Sequence, residues 1–229
     1  ASSHGIMLLQ KMFGKKNIFP YPKSIWSNYD ILKLLTKKNS LVLDFFAGSG
    51  TVGHAVSLLN KEDKGNRKFI LCTNNEGDIC TEVCYPRIKK VIQGYKTPKA
   101  KKIEGLGGNL KYFKTDFVES NPTDRNKKKL VDKSTEILCL KEDCFDDVKS
   151  GKLFKIFKNS KEQYLGIIFD DEGIKPFKNE LTSIDGIVNT YVFSLDESAR
   201  EEEFEDVMEK VDLRPIPEVI LNTYRRIFR

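Results

Sequence analysis

The chain has 229 residues, 39% of them hydrophobic and 31% charged, with a formal net charge of +6. Such a length holds one or two domains and buries a core without disulfide or metal staples. Its apolar runs, such as Leu41–Leu43 and Phe45–Ala47, fall far short of the roughly 18 residues that cross a bilayer. No charged-then-apolar leader opens the chain, so a cytoplasmic protein without a membrane partner is expected.

Five cysteines are present, Cys72, Cys80, Cys84, Cys139 and Cys144, with no CxxC pair and two histidines beside them. An odd count without ligand spacing argues for reduced, buried thiols and against a zinc site. Charge is uneven. Residues 1–118 carry 20 Lys and Arg against 9 Asp and Glu, a net of +11, whereas residues 119–229 carry 19 against 24, a net of −5. A basic front half beside an acidic back half implies different partners for the two.

In chain order, residues 5–18 place Leu8, Leu9, Met12 and Phe13 at helical spacing. Pro20 and Pro22 impose an extended stretch. Ser24 is the expected cap of a helix running to about Lys38, with Ile25, Ile31, Leu32, Leu34 and Leu35 facing inward. Residues 40–46 form a short apolar strand, residues 47–50 a tight turn, and residues 51–60 a helix burying Val52, Ala55, Val56 and Leu59. A polar loop leads to a second strand at residues 68–73, a turn at 74–78, and a helix at 79–94. Residues 95–108 are a Lys- and Gly-rich loop, and residues 109–118 alternate as a third strand. Strands alternating with helices over short connections predict a parallel sheet with helical crossovers, half of a doubly wound fold.

Residues 121–129 are polar and charged and are taken as a linker, dividing residues 1–120 from residues 130–229. Beyond it, helices are expected at 130–139, 174–181, 197–210 and 217–228, and strands at 153–157, 164–169 and 187–195, a small α/β domain. The expected fold class is therefore α/β, a partial Rossmann-like parallel sheet followed by this smaller domain.

The informative segment is Leu43-Asp-Phe-Phe-Ala-Gly-Ser-Gly-Thr-Val-Gly53, lying between a predicted strand and a predicted helix. Gly48, Gly50 and Gly53 satisfy GxGxxG, which by itself is weak evidence for a dinucleotide site. Asp44 stands where such a site delivers a pyrophosphate. Two like charges about 4 Å apart near a surface cost on the order of 4 kcal/mol, which disfavours that ligand. S-adenosylmethionine instead presents an ammonium and a sulfonium near a carboxylate. Asp44 suits the ammonium, and backbone N–H groups around Gly48, Ser49, Gly50 and Thr51 suit the carboxylate. Asp116 ends the third predicted strand, where sheets line ligand crevices. It is a candidate contact to the cofactor's adenine, with a solvent-facing or turn-capping acid as the alternative.

The pattern Asp44-x-Phe46-x-Gly48-x-Gly50, with Thr51 and Gly53-His54-Ala55-Val56 after it, resembles the cofactor-binding motif of amino-methyltransferases acting on DNA. Phe19-Pro-Tyr-Pro-Lys23-Ser24, 20 residues before Asp44, is similar to the Pro-Lys segment that precedes the glycine motif in the permuted class. Together they resemble the C-terminal part of a type III restriction–modification modification subunit, which methylates the exocyclic amine of adenine. The resemblance implies that Lys23 lies at the methionine end of S-adenosylmethionine. It also implies a ribose-binding carboxylate at the end of the second strand, where this chain offers Thr73, Asn74, Asn75 and Glu76; Asn75 and Glu76 are the candidates.

The family's second motif, Asp-Pro-Pro-Tyr, holds the flipped base. No Asp here is followed by Pro, and Pro-Pro does not occur. In the permuted class that motif lies upstream, so it would precede Ala1. The chain is expected to be a fragment, inactive alone, that meets DNA mainly through the missing part. Lys96–Lys102 and Lys127–Lys129 are candidates to touch phosphates, with solvated surface charge as the alternative. A homodimer or a restriction subunit is the expected protein partner. Two other readings stand beside this one: a nicotinamide dinucleotide-binding oxidoreductase domain, and a non-catalytic interaction module built on residues 130–229.

Overall fold

The computed structural model describes residues 2–193 and 200–228. The chain forms two compact units, Ala1–Lys114 and Thr115–Arg229. The ends of two predicted elements, residues 194–195 of a strand and 197–199 of a helix, lie outside the described residues.

The first unit opens with helix α1 (Ser2–Phe13). Leu9 and Met12 form its buried stripe, and Gly14 ends it, donating its N–H to Gln10 O at 2.8 Å. Helix α2 (Ile25–Leu35) follows the two prolines and stops where Thr36 turns extended and donates both N–H and hydroxyl to Leu32 O. It buries Ile25, Tyr29 and Leu32. Ile31, Leu34 and Leu35, expected inside, are exposed, Leu34 at 84%. The helix is apolar on more than one face, and only one face meets the core.

Strand β1 (Leu41–Asp44), helix α3 (Thr51–Asp63) and strand β2 (Lys68–Leu71) make the expected strand–helix–strand unit. The strands pair in parallel, Leu41 opposite Lys68 through Asp44 opposite Leu71. Ala55, Val56 and Leu59 recur at helical spacing, are buried, and pack on α2 and on Val42 and Phe69 of the sheet. Arg67, itself buried, ties the loop between helix and strand through Asp63 at 2.9 Å and Thr36 Oγ1 at 2.8 Å.

The predicted helix over 79–94 is two pieces. Ile79–Cys84 is a wide π-type turn that runs into helix α4 (Tyr85–Gln93). Pro86, near the start of α4, has no N–H to continue the ordinary ladder, which accounts for the change of pitch. Within the stretch read as a loop, strands β3 (Gly94–Lys96) and β4 (Lys102–Glu104) form an antiparallel hairpin. The third parallel strand expected at 109–118 does not form. Residues 105–119 carry no regular structure among the described residues, and most are exposed. Alternation alone does not make a strand without a neighbour to complete its hydrogen-bond ladder.

The second unit is a sheet covered on both faces. Helix α5 (Asp124–Glu142) begins inside the stretch read as a linker, capped by Thr123, whose hydroxyl accepts from Asn126 N at 3.2 Å. The sheet runs in the order β5 (Asp146–Ser150), β6 (Phe154–Lys158), β7 (Tyr164–Ile168), β8 (Val188–Val192) and β9 (Val211–Leu213). The first three strands are antiparallel and the last three parallel. One core joins Phe157, Leu165, Ile167 and Tyr191 to α5 and to Ile220 of helix α7 (Glu218–Phe228). The other joins Phe154, Ile156, Ile168 and Val188 to helix α6 (Ile174–Leu181) and to Phe204 of a 3-10 segment, Glu201–Lys210. The whole is of the α/β class, with one parallel, one antiparallel and one mixed sheet among the described residues.

Candidate cofactor site

The glycine segment folds as its residue types dictate. Asp44 ends β1, and its Oδ1 accepts the N–H of Phe46 at 3.1 Å, which turns the chain out of the sheet. Ala47 N bonds Cys72 O at 3.0 Å, and Gly50 N returns to Ala47 O at 2.7 Å, closing the turn. Gly50 then enters α3 in the left-handed region, φ +75° and ψ 31°, which favours a residue without Cβ. No side chain caps α3 at this end. Its first N–H groups therefore lack intrahelical acceptors, and the helix dipole favours an anion there.

A cleft of about 480 Å³ opens over this turn, within the ordinary range for small ligands. Lys23, Asp44, Phe46, Gly48, Ser49 and Thr51 line it, so six of the ten expected site residues share one cavity. Phe46 is 92% exposed. Phe19, Tyr21, Asn28 and Ile31 add a wall from the proline segment and α2. Lys23 is held there by close packing: a Cβ on Gly5 of α1 would lie 2.5 Å from Pro22 O and 2.8 Å from Lys23 O.

The other four fall outside the lining. Gly50 is buried beneath the turn, facing Cys84 and Ile88. Asn75 is occupied as a local cap, its Oδ1 accepting from Cys80 N and Thr81 N, both at 3.0 Å. Glu76 is exposed, with Asn74 Nδ2 at 3.4 Å. Asp116 belongs to the second unit, where it pairs with Lys133 at 3.3 Å and Lys129 at 3.9 Å. With no strand at 109–118, it does not end a sheet strand.

Arg87 was not among the expected residues. Its side chain is 1% exposed beneath the glycine turn. Nη1 donates to Ser49 O at 3.1 Å and to the hydroxyls of Ser49 and Thr51, both at 3.0 Å. Nε has no hydrogen-bond partner, and no carboxylate pairs with the guanidinium among the described residues. Burial pulls its pKa down to about 10. Burial, with Cys80 and the Asp44 charge nearby, pushes the Cys84 thiol up to about 11, so it is not a nucleophile at neutral pH.

Arg87 Nη2 also lies 3.4 Å from His54 Nδ1. A guanidinium only donates, so His54 accepts through Nδ1 and keeps its proton on Nε2. Burial and the Arg87 charge push the His54 pKa down to about 3. The imidazole is therefore neutral in the folded state and takes up a proton on unfolding near its usual value, so stability falls as pH drops below about 6.5. Between about pH 7.5 and 5.5 this group should remove about 1.3 kcal/mol of stability. Urea titrations of the wild type and His54→Asn at both pH values check this: the variant should lose less over the interval, and equal losses would refute the assignment.

Residues 5–85 match the family model of the N6/N4 DNA methylases, described as DNA methylase. Residues 5–85 are thus similar to a segment of the DNA methylases. This segment includes most of α1, the proline stretch, the glycine turn and the first residue of α4. Over 62 residues the chain is 55% identical to the type III restriction–modification enzyme StyLTI Mod subunit of Salmonella typhimurium, covering 27% of this chain and 9% of that protein. Over 68 residues it is 48% identical to the EcoPI Mod subunit of Escherichia phage P1, 30% of this chain and 10% of that protein. Over 110 residues it is 36% identical to the type II methyltransferase M.KpnI of Klebsiella pneumoniae, 48% of this chain and 26% of that protein. The chain thus spans about a tenth to a quarter of the length of these relatives. The resemblance carried by Asp44–Gly53 is met by methyltransferases of restriction–modification systems.

Proposed function

We propose that the cleft binds S-adenosylmethionine and that the chain is the cofactor-binding, C-terminal portion of a restriction–modification DNA methyltransferase acting on the exocyclic amine of adenine. The observation that carries this reading is the pairing of opposite charges across one turn. Asp44 stands on one side; the uncapped N-terminus of α3 stands on the other, with the Arg87 cation buried below it. A zwitterion with ammonium and carboxylate close together fits such a site, whereas a pyrophosphate meets Asp44 unfavourably. Asp44 holds the ammonium, the N–H groups of the turn hold the carboxylate, and Phe46 and Lys23 close the methionine end. Glu76, exposed past the end of β2, is the ribose contact, with Asn75 setting the turn that carries it. Once bound, the cofactor supplies an activated methyl group.

The two-stranded parallel sheet is then part of a larger Rossmann-like sheet. Residues 130–229 are a small α/β domain that braces it or docks a partner, either a second copy or a restriction subunit. The Asp-Pro-Pro-Tyr motif comes from outside this chain, as does most of the DNA contact, and the protein works in the cytoplasm.

Calorimetric titration of S-adenosylmethionine into the chain tests this. A hydrogen bond to a charged group contributes about 1.5–3 kcal/mol, so Asp44→Ala should weaken binding by about 10- to 150-fold. The wild-type chain should transfer no methyl group to DNA. Binding of a nicotinamide dinucleotide in preference to S-adenosylmethionine, binding of neither, or methyl incorporation above the Asp44→Ala background would overturn the reading.

A further inference from the structure

Two basic segments about 80 residues apart in sequence meet in the first unit. One is the end of α1, with Lys15 and Lys16 just past Gly14. The other is the β3–β4 hairpin, with Lys96, Lys99, Lys101 and Lys102. A Cβ on Gly14 would lie 3.3 Å from Pro98 Cγ in the hairpin turn. Lys90 of α4 pins the junction, with its Nζ 5.7 Å from the Phe13 ring centroid and 6.0 Å from that of Tyr95. The turn itself is fixed by Thr97, which accepts from Ala100 N at 2.9 Å and, through its hydroxyl, from Lys101 N at 3.1 Å.

All six lysines are exposed, and none forms an ion pair among the described residues. Acids are sparse in both segments: no Asp or Glu occurs in residues 5–29 or 86–103, and Glu104, opposite Gly94 at the open end of the hairpin, is the one acid of the hairpin. Lys96 and Lys102 stand directly opposite each other across the hairpin, a like-charge pair that costs stability in the free protein. The other basic run, Lys127–Lys129, is different. Lys127 faces Asp170 at 3.8 Å, and Lys129 faces Asp116 and donates to Phe117 O at 2.6 Å. Its charge is answered within the protein, whereas that of the hairpin and the end of α1 is not.

We propose that the β3–β4 hairpin and the end of α1 together form a phosphate-binding surface for the backbone of duplex DNA, without sequence preference. The choice of DNA as ligand rests on the methyltransferase reading above. Phosphate neutralisation releases counterions, so six contacts would give a slope of log K against log salt of about −5.

The test measures binding of a short fluorescent duplex to the whole chain between about 50 and 200 mM salt. Lys15→Gln/Lys16→Gln and Lys99→Gln/Lys101→Gln should each make the slope shallower by about 2, and the combined variant by about 4. Lys127→Gln/Lys129→Gln should leave it unchanged, and thermal midpoints confirm that each variant is folded. An unchanged slope in either site pair overturns the shared surface. So does a loss confined to vesicles of phosphatidylserine and phosphatidylcholine with duplex binding intact, which would assign the lysines to a membrane. The two readings fail separately. Calorimetry that finds the cofactor while the lysine variants bind DNA normally sinks only this surface. Lysine-dependent duplex binding without cofactor binding sinks only the cofactor site.

Discussion

Arg87→Ala should lower the stability of the chain by about 3 kcal/mol, and Arg87→Met should restore most of that loss without restoring cofactor binding. Three opposing terms set that value. Truncation to Ala removes a large side chain that is almost wholly buried, and a cavity of that kind costs about 2–5 kcal/mol. It also deprives Ser49 O and the Ser49 and Thr51 hydroxyls of their donor, at about 1 kcal/mol for each bond. Against these, the buried charge is itself unfavourable: the depression of its pKa to about 10 corresponds to about 3 kcal/mol of desolvation at 1.36 kcal/mol per unit. Met fills most of the space and removes that penalty. The two hydroxyls, 3.3 Å apart, can then pair with each other. A cation that costs this much to bury, with Nε unpartnered and no carboxylate paired with it among the described residues, is explained if its field serves the anionic end of the ligand. Urea titrations should therefore rank wild type and Arg87→Met close together, well above Arg87→Ala. Calorimetry should place both variants at least about 10-fold weaker than wild type for S-adenosylmethionine. Full binding by Arg87→Met would reduce Arg87 to a support for the turn.

The same residue shows why the site was only partly readable in advance. Asp44 through Gly53 was legible because strand, turn and helix are encoded locally: an acid at the strand end, glycines at the turn and an apolar stripe after it. Arg87 sits in Pro86-Arg87-Ile88-Lys89-Lys90, where an arginine looks like one more solvated charge. The overlooked signal was its register. Val83, Cys84, Arg87, Ile88 and Val91 are all buried at helical spacing, so the arginine lies in the middle of the apolar stripe and must find partners inside. Non-local facts were harder to read. The alternation of residues 109–118 has the period of a strand but provides no neighbour for one. The charged composition of residues 121–129 outweighed a visible helix cap at Thr123. Asp146–Ser150 is polar at nearly every position and exposed throughout, and only the sheet it edges makes it a strand. In α2, apolar residues on several faces left period alone unable to choose which face turned inward.

Gly50→Val should be the most damaging single change in the turn, at about 3–5 kcal/mol. Gly50 lies at φ +75°, where a β-branched residue is strained by about 1–3 kcal/mol. Its Cβ would also lie 3.1 Å from Cys84 Sγ and 3.4 Å from Ile88 Cδ1. Cys84 and Ile88 are themselves buried, so the two added methyl groups overpack the contact between α3 and α4 by a further 1–3 kcal/mol or so. Gly77 provides the control. It too has a positive φ, +57°, but nothing lies within 4 Å of a Cβ built there. Gly77→Val therefore reports strain alone, about 1–3 kcal/mol, and the difference between the two variants isolates the packing term. Since a domain of this kind is stable by only about 5–15 kcal/mol, Gly50→Val should shift the thermal midpoint strongly, and what remains folded should bind the cofactor poorly. The Gly50 N–H to Ala47 O bond at 2.7 Å closes the turn that lines the cleft, and a valine that moves φ away from +75° distorts that turn. Equal destabilisation by Gly50→Val and Gly77→Val would mean that the turn relaxes freely, and the rigid cradle assigned to it would be wrong.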